Sequence, residues 1–438
     1  MFLLLACAAT TTVGGGATAD RGGVTPENGD SVEVVEGGSD GYAACPAPES
    51  LYQQDCVVQY DLDIAAADWE AMQTTYDSAV ANCGISQDVL HETHVATLQY
   101  GAQALEVGIR LKGNACTFLR NGKMQFRIDV NYVVPDQRLN GVEHINLEAA
   151  NYDPTVVKNG LALSIFRDAG LVAPLANHAA LTVNGAYYGF YENIEQIDQQ
   201  FLSDRYADAS GNLYWFIWNG AYGELKTNKA VADVSNWSAM QTLIDATPSV
   251  VTMADFEAQI VGMVDVDELL LAFAVEAVVP QTDGVWAGSA NCYVYDNPLG
   301  CAGAGCFEYL PWDLDSAFLA PPQDLCPACG APPDTVTADP ITFITGRGPA
   351  RKWRLWDLVI AVPRWRAQYI ANLQTVLNTA YDPDVLAARH GDILARIQRY
   401  ADVDSHLDHD RFTSSNEELS VFFARRSAFV QAWVDANE

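Results

Sequence analysis

Residues 94–113 read HVATLQYGAQALEVGIRLKG and residues 124–134 read MQFRIDVNYVV. Apolar and polar side chains alternate through both stretches, the period of strands that bury one face. They predict a small antiparallel sheet. On the N-terminal side, residues 57–76 (VVQYDLDIAAADWEAMQTTY) predict a further strand running into a helix capped near Asp68. On the other side, Asp153-Pro154 opens a segment in which Val157, Leu161 and Ile165 recur at helical spacing, with Gly170 placed to end it. Residues 178–198 follow as a hairpin turning on Asn184-Gly185, a strong two-residue turn signal. Farther on, Asp265-Val-Asp267-Glu268 caps an apolar helix, ELLLAFAVEAVV, that Pro280 stops. Strands at 291–297 (NCYVYDN) and 306–315 (CFEYLPWDLD) come next across a Gly and Cys loop. The Pro-rich, Cys-containing region 321–340 reads as an insertion, and residues 351–438 are helical in pattern, with Trp353, Leu355, Trp356 and Ile360 marking a buried stripe. The fold class is α+β, a sheet-rich part followed by a larger, mainly helical one.

The chain has 438 residues, with 24 Lys plus Arg against 56 Asp plus Glu and a net charge of −32. Nucleic-acid binding works by replacing condensed counterions with Lys and Arg, so a chain this acidic is not a nucleic-acid binder. Disorder is excluded too, because 49% hydrophobic and only 18% charged residues can bury a large core. No apolar run approaches the ~20 residues that span a bilayer. The first residues, MFLLLACAATTTVGGG, read as a processing signal, and Leu4-Leu5-Ala6-Cys7 resembles the lipobox of bacterial lipoproteins. Residues 1–48 are expected to be a lipoprotein signal and flexible tether, with lipid on Cys7 as the one membrane contact. Ten cysteines, several in close pairs (Cys45 with Cys56, Cys301 with Cys306, Cys326 with Cys329), point to disulfides outside the cytoplasm. The alternative is a zinc site on the last four. Setting Cys7 aside leaves nine, so one thiol stays unpaired, and Cys83, Cys116 and Cys292 have no assigned partner.

Two constellations carry chemistry. Residues 107–128, VGIRLKGNACTFLRNGKMQFRI, hold Arg110, Lys112, Arg120, Lys123 and Arg127 with no acid among them. In so acidic a chain this suits a polyanionic ligand such as a phosphate chain; the alternative is a solvated basic strand face. It is not a Walker A loop, since Met124 stands where magnesium would need Ser or Thr. The second constellation is Asp283 beyond the apolar helix, Asn291 at a strand start, and Asp313 and Asp315 in PWDLD. Carboxylates at apolar strand ends need partners, and a hard cation with phosphate oxygens supplies one. The order of these parts is that of protein-kinase-like phosphoryl transfer; the alternative is ordinary turns and caps. His91-Glu-Thr-His94 lacks zinc-protease spacing, and the Asp-rich stretch 402–410 lacks the Gly and Glu of a calcium loop. Both read as solvated polar turns. The run 347–366, RGPARKWRLWDLVIAVPRWR, reads as an amphipathic helix with Trp inward and Arg351, Lys352, Arg364 and Arg366 wet.

The segments IRLKGNACTFLRNGKMQFRIDV, INLEAANYDPTVVKNGLALSIFRDAG, LTVNGAYYGFYENIEQID, ELKTN and YLPWDLD resemble, in order, the successive motifs of the CotH kinase family, related to spore coat protein H. The resemblance covers roughly residues 51–380. It implies a reduced, atypical protein-kinase-like fold, with a small antiparallel-sheet lobe at about 49–200 and a larger mainly helical lobe at about 201–438. The disulfide-containing insertion lies between Asn291 and Asp313. Carried over by residue, it implies Lys123 at the nucleotide phosphates, with Arg110 and Lys112 lining the same sheet. Glu195 is the acid implied to pair with that lysine, with Glu192 close enough to compete. Asp283 is implied as the catalytic Asp, and Asn291, Asp313 and Asp315 as magnesium ligands. The implied activity is transfer of the ATP γ-phosphoryl group, with magnesium, to Ser or Thr of a secreted or cell-surface protein, by a monomer anchored to the bacterial envelope. The alternatives are a non-catalytic adhesin, a polysaccharide-associated binding protein, or a pseudokinase on the same fold. His-Arg-Asp and Asp-Phe-Gly motifs are absent.

Overall fold

The computed structural model describes residues 45, 47–81, 85–113, 123–151, 153–218, 221–231, 233–287, 291–319, 335–343 and 353–437. Cys7, Cys83, Cys116, Arg120, Cys326, Cys329, Arg351 and Lys352 lie outside them.

Seven strands are built from the alternating stretches: β1 (Val57–Ile64), β2 (His94–Tyr100), β3 (Gln103–Leu111), β4 (Phe126–Asp129), β5 (His144–Glu148), β6 (Ala176–Val183) and β7 (Ala186–Glu195). They close into a barrel in the order β1-β2-β3-β4-β5-β7-β6. This differs from the expected small antiparallel sheet. β1 pairs antiparallel with β2 on one edge and parallel with β6 on the other, Val57 opposite His178, which removes both free edges. Every second side chain points inward, so Tyr60, Leu62, Leu98, Val107, Ile109, Leu111, Phe126, Ile128, Ile145, Leu147 and Leu181 form one buried core. The other parity, Arg110, Lys112, Arg127, Asn146 and Glu148, lies on the outer face. Asn184 and Gly185 take φ of 51° and 79°, the left-handed pair that a tight hairpin between β6 and β7 requires.

Three helices interrupt these strands: α1 (Ala66–Ala81), the single turn α2 (Gln87–Leu90) and α3 (Lys158–Asp168). After the barrel come α4 (Gln199–Arg205), α5 (Ser235–Ala246), α6 (Met253–Ile260), α7 (Val266–Val278), the short α8 (Gly300–Gly303), α9 (Arg354–Ala361), α10 (Pro363–Thr379), α11 (Pro383–Ala401) and α12 (His409–Asn437). A second sheet, ordered β11-β10-β8-β9, contains β8 (Leu213–Trp218), β9 (Ala221–Leu225), β10 (Cys292–Asn297) and β11 (Cys306–Pro311). α7 is apolar nearly all round because it is the central helix of this part: Leu269, Leu270, Phe273, Ala274, Val275, Ala277 and Val278 are buried against α3, α10 and α12. Asp265 caps it, accepting the Glu268 N–H at 3.0 Å.

Disulfides join Cys45 to Cys56 and Cys301 to Cys306, the second closing the loop between β10 and β11 and taking two thiolates from the zinc alternative. Cys292 is free and buried. The run 347–366 forms two helices rather than one: α9 ends at Ala361 and Pro363 begins α10, with Trp353, Trp356 and Trp365 buried as read. Arg364 meets Glu257. No helix among the described residues is long and apolar enough to cross a membrane.

Candidate functional site

The site is assembled from the ends of six elements, β3, β5, α3, α7, β10 and β11. β3 leaves Lys112 just past its last residue, and β5 ends on Glu148, to which Lys112 Nζ is ion-paired. Lys112 also lies over the Trp312 ring, 5.4 Å from its centroid. Trp312 leads directly into Asp313 and Asp315 after β11. Burial pulls the Lys112 ammonium down to about 8, while Asp313 and Asp315 oppose that shift. One lysine of the barrel therefore faces the carboxylates beyond β11.

From the other side, the loop after α7 brings Asp283, whose Oδ2 accepts the Asn291 Nδ2–H at 2.9 Å. Two ties link this loop to the Asp313 segment. Gln281 Nε2 donates to the Asp313 carbonyl at 2.7 Å, and the Thr282 hydroxyl donates to the Ser316 carbonyl at 3.2 Å. Burial and then the neighbouring Asp313 and Asp283 hold Asp315 well above the usual carboxylate range, and Asp313 is raised by burial and Asp283 against the pull of Lys112. Asn291 and Asp313 both take left-handed backbone, φ 59° and 57°. Asn and Asp tolerate this better than other side-chain-bearing residues, and such strain clusters where side chains must be aimed.

α3 supplies the floor. Asp153, fully buried, accepts the N–H groups of Thr155 (2.9 Å), Val157 (2.9 Å) and Lys158 (2.8 Å), which starts the helix five residues after the acid. Asn159 then donates to Glu192 Oε2 at 3.2 Å and accepts the Leu314 N–H at 2.6 Å, fastening α3 both to β7 and to the segment between Asp313 and Asp315. Glu192 also accepts the Gly160 N–H at 2.9 Å, and burial with Asp153 nearby pushes its carboxyl up to about 8.

Asp283, Asn291, Asp313 and Asp315 are thus brought together, and Lys112 joins them. Lys123 lies elsewhere. Its ammonium is buried against Asp404, 2.7 Å from Oδ2, and donates to the Phe190 carbonyl beneath the Phe190 and Tyr191 rings. The expected pairing of Glu195 with this lysine is replaced: Glu195 accepts from Arg205 Nη2 at 2.5 Å and from the Leu175 N–H at 2.7 Å. Arg110 stays on the basic sheet face opposite Arg127, 3.8 Å from Asp129. While Asp402, Asp408 and Asp410 are exposed as read, Asp404 departs from the reading of 402–410 as a solvated turn. It is fully buried and also accepts the Phe190 N–H at 3.1 Å and the His406 N–H at 2.9 Å.

Sequence reasoning missed Glu148 and Asn159, weighed Glu192 only as a competitor for the lysine, and read Asp404 as part of a solvated turn. Glu148 was within reach, since its parity with Asn146 places it on the basic outer face; the others depend on contacts far apart in the chain. Chemically the cluster is oxygen-rich, with the carboxyl groups of Asp153, Glu192, Asp283, Asp313 and Asp315 against the ammonium groups of Lys112 and Lys158. That donor set fits a hard divalent cation and the phosphate oxygens it would share. Asp283, Asp313 and Asp315 do not all approach within 4.8 Å of one another, so phosphate and water would complete the coordination.

Residues 109–430 match the family model described as CotH kinase protein. Over 238 residues the chain is 25% identical to the inner spore coat protein H of Bacillus subtilis (strain 168), an alignment covering 51% of this chain and 62% of that protein. The chain therefore spans less than two thirds of that relative's length.

Proposed function

The chain belongs to the CotH kinase protein family, and from that membership we propose that it transfers the γ-phosphoryl group of ATP to a Ser or Thr hydroxyl of a protein, with magnesium. The observation that carries this reading is Lys112, at the end of a barrel strand, facing Asp313 and Asp315, with the bonded pair Asp283 and Asn291 beside them. In this reading the barrel is the small lobe and the helical part the large lobe of a protein-kinase-like fold.

Asn291, Asp313 and Asp315 hold magnesium, which when bound neutralises charge on the phosphates. Lys112, steadied by Glu148, meets the phosphates, the role the sequence assigned to Lys123; Arg110 adds positive charge on the same face. Asp283 orients the acceptor hydroxyl and takes its proton as the hydroxyl oxygen bonds to phosphorus and ADP leaves. Lys123 and Glu195 serve the architecture through Asp404 and Arg205. Positioning and electrostatics supply most of the catalysis. The word coat in the relative's name, the two disulfides and the Cys7 motif support an extracytoplasmic protein, lipid-anchored to the envelope; in this proposal it acts as a monomer on secreted or surface proteins.

The test is incubation with γ-labelled ATP and magnesium and a generic Ser/Thr acceptor. Wild type is expected to label itself or the acceptor, and Asp283→Ala to lower the rate by at least about 100-fold. Equal background labelling by both proteins would defeat the enzymatic reading and leave a non-catalytic binding protein.

A further inference from the structure

One fully enclosed carboxylate near the site belongs to a residue with no role so far. Glu276 lies in the last turn of α7, fully buried, seven residues before Asp283. Its Oε2 accepts the Trp286 N–H at 2.6 Å, with the neighbouring Val285 amide also favouring the charged carboxylate, and Oε1 accepts the Tyr309 hydroxyl from β11. The loop 281–286 is thus wrapped around this one side chain. Gly284 shows how closely: a Cβ there would lie 2.8 Å from each Glu276 oxygen and 2.6 Å from Gln281 Cγ, so only glycine lets the loop close. The same loop is stitched to the Asp313 segment through Gln281 and Thr282.

We propose that Glu276 is the positioning residue of the site, the buried anchor that sets Asp283 in register with Asp313 by binding the loop amides on one side and β11 on the other. This rests on the phosphoryl-transfer reading for its kinetic consequence, but its structural consequence stands apart from it. An apolar helix end gains nothing from an isolated acid unless the acid's hydrogen bonds are all satisfied, and here they are satisfied by the loop that must be held. Glutamine offers one acceptor oxygen in the same place and is expected to preserve most of the anchoring. Alanine leaves the Trp286 N–H buried without an acceptor.

The experiment compares wild type, Glu276→Ala, Glu276→Gln and Tyr309→Phe by steady-state kinetics and by hydrogen exchange of the 281–287 amides. Glu276→Ala is expected to lower kcat on the order of 100-fold while KM for ATP stays within about threefold, since a misplaced Asp283 weakens transfer more than nucleotide binding. Glu276→Gln restores most of kcat, and exchange at 281–287 rises in the alanine variant with the barrel strands unchanged. Should Glu276→Ala fail to fold, Tyr309→Phe, which removes one donor, is expected to raise exchange at the same amides. Unaltered exchange in the alanine variant, or in Tyr309→Phe where that variant stands in for it, would overturn the proposal, as would a glutamine variant as defective as alanine. If wild type itself transfers no phosphate, the functional reading fails, and the exchange arm still decides the role of Glu276.

Discussion

Lys112 and Lys123 share one basic segment, yet burial separates their work. Lys112 keeps 19% of its side-chain surface and looks onto Asp313 and Asp315; Lys123 keeps 3% and is enclosed with Asp404, which keeps none. Removing one partner of a buried ion pair strands the other, at a cost of about 3–5 kcal/mol. Lys123→Ala and Asp404→Ala are therefore each expected to lower unfolding free energy by about that much in urea titrations, with the double variant costing less than the sum. Lys112→Ala is expected to cost about 1 kcal/mol at most, its pair with Glu148 being partly exposed, while sharply lowering kcat/KM for ATP. A stable Lys123→Ala protein that had lost nucleotide affinity would return the phosphate role to Lys123. The sequence showed the charge cluster but not this division, because Asp404 stands 281 positions from its lysine. Asp283, Asp313 and Asp315 stood out in the sequence for the opposite reason: each follows an apolar element whose end is visible locally, and Asn291 opens the next strand.

The elements themselves were legible wherever one face is buried. Period-two alternation marked β2, β3 and β4, Asn184-Gly185 marked the β6–β7 turn, and Asp265 with Pro280 bracketed α7. Closure of the barrel was not legible, because β1 and β6 pair in parallel with more than a hundred residues between them and parallel pairing leaves no turn signature. The start of α3 was blurred for a related reason. Asp153 caps the helix from five residues away, across a bend in which Val156 takes φ 56°, so helical spacing begins earlier than the helix. At 362–363 the hydrophobic stripe runs on while Pro363 starts a new axis, and periodicity alone reads through the break.

Across the whole molecule the charge of −32 is unevenly distributed, and part of the acid is buried where its proton is held more tightly. Burial raises the Glu276 carboxyl from 4.5 to about 7. A carboxyl whose folded value exceeds its unfolded one binds its proton more tightly when folded, so this stabilisation is complete below pH 4.5 and is lost as pH rises through about 7. Between pH 5 and 8 wild type is expected to lose on the order of 3 kcal/mol more stability than Glu276→Gln, by urea denaturation at each pH. Parallel pH profiles would contradict it. The same uneven distribution places a lysine-bearing barrel opposite a carboxylate-bearing helical part, and the account turns on that gap holding a metal-bound polyphosphate. Calorimetric titration of ATP with and without magnesium measures this directly. The account predicts saturable binding that requires magnesium and vanishes in Asp313→Ala; binding that ignores both the metal and Asp313, or no binding at all, would contradict it.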